Sequence, residues 1–234
     1  MRLRLPSPAR PLLALVLAVG LLGGCGGSST GNGVASKTPA QILAASMAAA
    51  NGAATVHIAG SIVSEGKPLS IDMELLRERG GHGRITLEGL SIDLIRVDRI
   101  VYINGSAAFY RHVAGPAAAQ LLQGKWLKAP ASAGNFSSLA SLTNLGRLID
   151  TTLAAHGTLA RGATTTVDGQ KVVAVNDVSD GGTLYVAATG SPYPIEIVKR
   201  GGAGGRIVFD RWNKPVVLAP PANAININAL RPHP

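Results

Sequence analysis

The chain reads as an α+β domain: a meandering antiparallel sheet covered by helices. Three observations predict it. Apolar and polar residues alternate with period two along short runs at 54–112 and again at 158–209. Short turn signals separate the runs, among them Gly66-Lys67-Pro68 and Val167-Asp168-Gly169. Between the two β-rich stretches, residues 136–155 carry apolar residues at steps of three and four, the period of a helix. Strands, then helices, then strands is an α+β order, unlike the alternation of βαβ proteins.

The elements follow in order. Thr38 can cap a helix, Pro39 suits its first position, and Gln41 to Ala50 continue it, with Ile42, Leu43 and Met47 on one face. Val56, Ile58, Gly60 and Ile62 mark a first strand; Leu69, Ile71, Met73 and Leu75 mark a second. Ile85 and Leu87 mark a third, and Leu90, Ile92 and Leu94 a fourth, after a turn at Gly89. Ile100 and Tyr102 mark a fifth. It ends in Asn104-Gly105, a hairpin dipeptide, which predicts a sixth strand at 108–112. A short helix is expected at 116–122, an extended link at 124–130, and one long helix at 136–155, which Asn135 or Ser137 could cap. Strands resume at 158–166, around Val172 to Val175, at 183–188, 194–200 and 205–209, with a last alternation at 224–227.

Ahead of this body stands a different kind of sequence. Arg2, Arg4 and Arg10 precede a short apolar stretch at 12–22, followed by Leu22-Gly23-Gly24-Cys25. A basic start, a short apolar core and small residues before a cut site make an export signal. The apolar stretch is too short to span a bilayer, which takes about 20 residues. The tetrapeptide matches the bacterial lipobox, so Cys25 is the expected lipidation site. The expected organisation is a lipoprotein signal at 1–24, a Gly/Ser-rich tether at 25–36 and one domain at 37–234. Cys25 is the only cysteine, so acylating it leaves no thiol for a disulfide or a thiolate metal site. The chain is basic, at +9, but the basic residues are scattered and the three arginines above leave with the signal. Nucleic-acid binding is not expected.

Catalytic patterns are sparse. There is no Gly-x-Ser-x-Gly elbow and no Gly-rich phosphate loop; Gly201, Gly202, Gly204 and Gly205 read as a hairpin tip. Triads whose members are far apart in sequence stay open. The histidines His57, His82, His112, His156 and His233 have no zinc spacing, so no metal is expected. Asp72 and Glu74, two apart on one strand, read as a solvated strand face rather than an acid–base pair. What remains is an aliphatic sheet face that helices must cover, either as a solid core or around an apolar cavity.

The order of motifs resembles the LppX/LprA/LprF/LprG group of actinobacterial lipoproteins. It is carried by the lipobox, the first helix and meander, Gly124-Lys125-Trp126-Leu127 and the leucine-rich helix. Val167-Asp168-Gly169, Ser191-Pro192-Tyr193-Pro194-Ile195-Glu196-Ile197 and Ile207-Val208-Phe209-Asp210 follow, then Pro220-Pro221 and Ile225-Asn226-Ile227. The resemblance implies a LolA-like half-barrel: a curved antiparallel sheet capped by helices, enclosing an apolar cavity. It implies a non-enzymatic, cofactor-free carrier of acyl lipid or glycolipid, anchored at the outer side of the cell membrane. An envelope transporter is a candidate protein partner, and a monomer the expected state. The alternative is a scaffold lipoprotein with a solid core. Alternation assigns the cavity lining to Val56, Ile58, Ile71, Met73, Leu75, Ile85, Leu87, Ile92, Leu94, Leu139 and Leu142.

Overall fold

The computed structural model describes residues 31–64, 66–134, 136–201 and 204–230. Its centre is one twelve-stranded sheet, open at both edges. The strands are β1 (Thr55–Ser64), β2 (Lys67–Leu76), β3 (Gly80–Leu87), β4 (Leu90–Val97), β5 (Ile100–Gly105), β6 (Leu127–Pro130), β7 (Leu159–Val167), β8 (Gln170–Asp177), β9 (Gly182–Ala187), β10 (Pro194–Lys199), β11 (Gly205–Asp210) and β12 (Ile225–Asn226). Their order is β12-β6-β5-β4-β3-β2-β1-β11-β10-β9-β8-β7. Every pairing is antiparallel except that of β12 with β6. The join between the two β-rich stretches is β1 on β11, with Ile58 opposite Phe209.

The period of two does what it predicts. Ile58, Met73, Leu94 and Val101 turn inward and are buried, while His57, Asp72, Arg84 and Asp93 line the other face. Burying each such aliphatic side chain stabilises by about 1.5–3 kcal/mol. Gly83 takes a φ of 155°, and a Cβ there would sit 2.0 Å from the Asp72 carbonyl oxygen, so β2 and β3 need glycine for this approach.

Four α-helices cover the inner face: α1 (Pro39–Gly52), α2 (Ala107–Leu122), α3 (Phe136–Leu142) and α4 (Leu145–Ala154). Helix α1 lies on β7–β10 and against α4; α2 lies on β4 and β5, and α3 on β5 and α4. The first helix starts as its sequence predicts. The Thr38 hydroxyl accepts from the Gln41 N–H at 3.3 Å, and the Gln41 side chain accepts from the Thr38 N–H at 3.1 Å, with Pro39 at the first position.

Four expectations are corrected. The sixth strand at 108–112 is instead the start of α2. Ser106 caps it by accepting from the Phe109 N–H at 3.1 Å, and the Tyr110 hydroxyl accepts from the Gly105 N–H at 3.0 Å. A side chain at Gly105 would run into the Phe109 ring, so this glycine makes room for aromatics rather than turning a hairpin. The helix kinks at Gly115, φ 86°, just before Pro116. The extended link at 124–130 contributes a strand, β6. The long helix at 136–155 is two, because the Asn144 side chain accepts from the Arg147 N–H and starts α4 afresh. Of its expected caps, Asn135 falls outside the described residues, and the Ser137 hydroxyl donates to the Gly134 carbonyl instead.

The fourth correction concerns residues 31–36, expected to continue the tether. They are docked on the body. The Asn32 side chain donates to the carbonyls of Ala187 and Gly190, its backbone N–H donates to Ala188, and Val34 is buried in a short 3-10 turn, Val34–Ser36.

Candidate functional site

An apolar pocket lies between α1, α4 and the inner faces of β7–β10. Its volume is about 150 Å³. Leu43 of α1, Leu153 of α4, Leu159 of β7, Val175 of β8, Leu184 of β9 and Ile197 of β10 form the walls. Thr152, His156, Asp177, Thr183 and Lys199 give the same pocket a polar margin. Of α1, only Leu43 borders the pocket; the buried face of that helix is Ile42, Leu43, Ser46 and Ala50. The pocket's aliphatic walls suit an apolar guest.

Asp177 shapes the margin. Its carboxylate accepts from the backbone N–H of Gly157 at 2.9 Å, and from those of Ser179 and Asp180. The Gly157 bond first, and then the other two, hold this carboxyl below the usual aspartate range. The loop after α4 and the β8–β9 turn are thereby pinned together beside the pocket.

The residues assigned to the lining from alternation sit elsewhere. Val56, Ile58, Met73, Leu75, Ile85, Ile92 and Leu94 are buried in the core cluster, with Ile71 and Leu139 partly buried against it. Leu87 and Leu142 are each 40 % exposed. None of these side chains is among those lining the apolar pocket. The pocket's own residues are apolar positions in the expected helix and strands, but their meeting depends on where α1 lies, and no local signal in the sequence carries that. Cys25 and the expected signal segment lie outside the described residues.

The outer face is an ion ladder. The two ring nitrogens of His57 meet Asp210 at 2.6 Å and Asp72 at 3.0 Å, bridging β11, β1 and β2. Glu74 pairs with His82 and with Arg211. Asp72 and Glu74 thus each serve a cationic or imidazole neighbour. Buried Glu196 accepts from the Arg206 Nε at 2.8 Å, and Asp168 shares the same guanidinium. Among the described residues no hydroxyl is hydrogen-bonded to His57, and no cluster of three or more metal-ligating side chains occurs. No described helix is long and apolar enough to cross a membrane.

An open antiparallel sheet with its helices on one face decides the comparison with solved structures. The chain shares the fold of LprF. The LprF structure from Mycobacterium bovis superposes with a TM-score of 0.55 at 14 % identity, over 79 % of this chain and 97 % of that one. LppX from Mycobacterium tuberculosis aligns over 77 % of this chain and 99 % of its own, at 17 % identity and a TM-score of 0.49. No protein-family model matches the sequence, and no curated protein matches it significantly. At such identities the likeness to LprF is one of fold.

Proposed function

We propose that this protein is a non-enzymatic lipoprotein that binds the acyl part of a lipid or glycolipid under its helices and carries it within the cell envelope. The observation that supports the reading is the aliphatic pocket of about 150 Å³ between α1, α4 and β7–β10, with its polar margin. As it stands the pocket takes only a short stretch of acyl chain. A whole chain enters by parting α1 from the sheet, which loosens the contacts of buried Ile42 and Leu43. Lipidation of Cys25 would keep the body at a membrane, and more than one acyl group makes such residence stable. Cleavage after residue 24 and an envelope transporter as partner belong to the same proposal.

The experiment is extraction of the chain carrying Cys25→Ser, so that its own anchor cannot be mistaken for cargo. Mass spectrometry of the organic extract is expected to show acyl lipid in stoichiometric amount. Val175→Trp fills the pocket and is expected to remove that lipid while the protein stays folded. A lipid-free extract from the parent, or an unchanged one from Val175→Trp, would sink the reading.

A further inference from the structure

The outer face of the sheet holds a groove to which lipid carriage assigns no role. Asp72, Arg84 and Asp93 stand side by side in register on β2, β3 and β4 and form its floor. Trp126, just before β6, lines its far end, and the open hollow measures about 530 Å³. A second hollow of about 410 Å³ also uses Arg84 and Asp93 and extends past Asn104 and Gln123. The two hollows flank the same Arg84–Asp93 pair. From β2 to the start of β6 the groove crosses four inter-strand spacings, about 19 Å.

A charged pair stands on its floor. Arg84 donates from Nε to Asp93 Oδ1 at 2.7 Å, with side chains 64 % and 33 % exposed. Among the described residues, the other Asp93 oxygen and the terminal nitrogens of Arg84 have no hydrogen-bond partner within the protein. Planar, charged donors and acceptors thus face an open trough beside a half-buried indole. Ile71, Leu94 and Ile95 add apolar surface to the groove, but an acyl chain laid over the Arg84–Asp93 pair would leave its free polar atoms unpaired. A phosphate or nucleic acid would meet the carboxylates of Asp72 and Asp93 against the single guanidinium of Arg84. A polyhydroxylated ring suits it. Each hydroxyl both donates and accepts, matching carboxylate and guanidinium in turn, and the C–H face of a sugar packs on an indole.

We propose that this outer groove binds a carbohydrate chain, with Trp126 as the stacking platform and Asp93, Arg84 and Asp72 as the hydroxyl partners. The site is separate from the acyl pocket and does not depend on it. Three strands of one sheet hold the floor, so the polar groups are positioned before the ligand arrives.

A test is an array of lipid-free glycans probed with the full chain in a detergent without a sugar headgroup. A subset of glycans is expected to be retained. Trp126→Ala and Asp93→Asn are each expected to weaken the best of them about tenfold or more in titration calorimetry, and Trp126→Phe to keep most of the affinity. If Trp126→Ala fails to fold, the exposed pair Arg84→Gln and Asp93→Asn carries the test. Val175→Trp is expected to leave glycan binding unchanged while it empties the acyl pocket. No glycan above background, affinity indifferent to Arg84, Asp93 and Trp126, or loss of glycan binding in Val175→Trp would each overturn the proposal.

Discussion

The inner layer of this molecule is solid on one side and hollow on the other. Under β2–β5, Leu75, Leu94 and Val101 belong to the same core cluster as Leu145 and Ile149 of α4, with almost no exposed surface among them. Under β7–β10, strands of the same aliphatic alternation face α1, and a pocket remains. Leu43 of α1 and Leu153 of α4 both reach that pocket, while Ile42 of α1 and Ile149 of α4 are fully buried. The two sides thus differ in how completely helices and sheet fill the space between them.

The sharpest way to break this contrast is a pair of truncations. Leu94→Ala is expected to cost about 2–5 kcal/mol in urea unfolding, because it opens a cavity in a filled region. Leu184→Ala, beside a void that already exists, should fall at the low end of that range. Equal losses would mean that the two sides are packed alike.

Smaller changes act on the cover alone. Thr38→Ala removes the capping box of α1 and should cost about 1 kcal/mol. It should also speed exchange of a bound fluorescent fatty acid if lipid enters by parting α1 from the sheet, as proposed. Slower or unchanged exchange would argue that lipid enters elsewhere. Ser46 points the other way: it is fully buried in α1, with no hydrogen-bond partner for its hydroxyl among the described residues. Ser46→Ala should therefore raise stability, by up to about 1 kcal/mol, and slow the same exchange.

The smallest effect is one of pH at the pocket's margin. Asp177 has a lowered pKa in the folded protein, through the Gly157 N–H bond first. Its contribution is present above the ordinary aspartate range and is lost as pH falls through the lowered value. The thermal midpoint of Asp177→Asn should therefore converge on that of the parent in strong acid and lie slightly below it at neutral pH. A constant difference across that window would assign the bonds no role.

Much of the sheet could be read in advance, and the misreadings are instructive. Residues 108–112, Ala-Phe-Tyr-Arg-His, have strand-like aromatics after a hairpin dipeptide. A capping serine and a tyrosine reaching back to Gly105 outweigh that local preference. The break at Thr143-Asn144 was visible as a pair of cap-type residues. It was hidden by an apolar period that continues across it, because Leu142 and Leu145 keep the spacing while only Leu145 turns inward. Most of the lining residues chosen from β1–β4 are buried, with Leu87 40 % exposed, and none of them borders the apolar pocket.

What the sequence by itself determined is local. Alternation set which side chains share a face, Thr38-Pro39 started α1, and Val167-Asp168-Gly169 turned β7 into β8, since each depends on neighbours a few residues away. Tertiary structure decided that β1 lies beside β11, that an alanine-rich helix covers β7–β10, and that Arg84, Asp93 and Trp126 share one groove. Those depend on which surfaces, distant along the chain, exclude water best when brought together. The period of a strand says that a residue is inward, and only the helix that lands on it says whether the space there is filled.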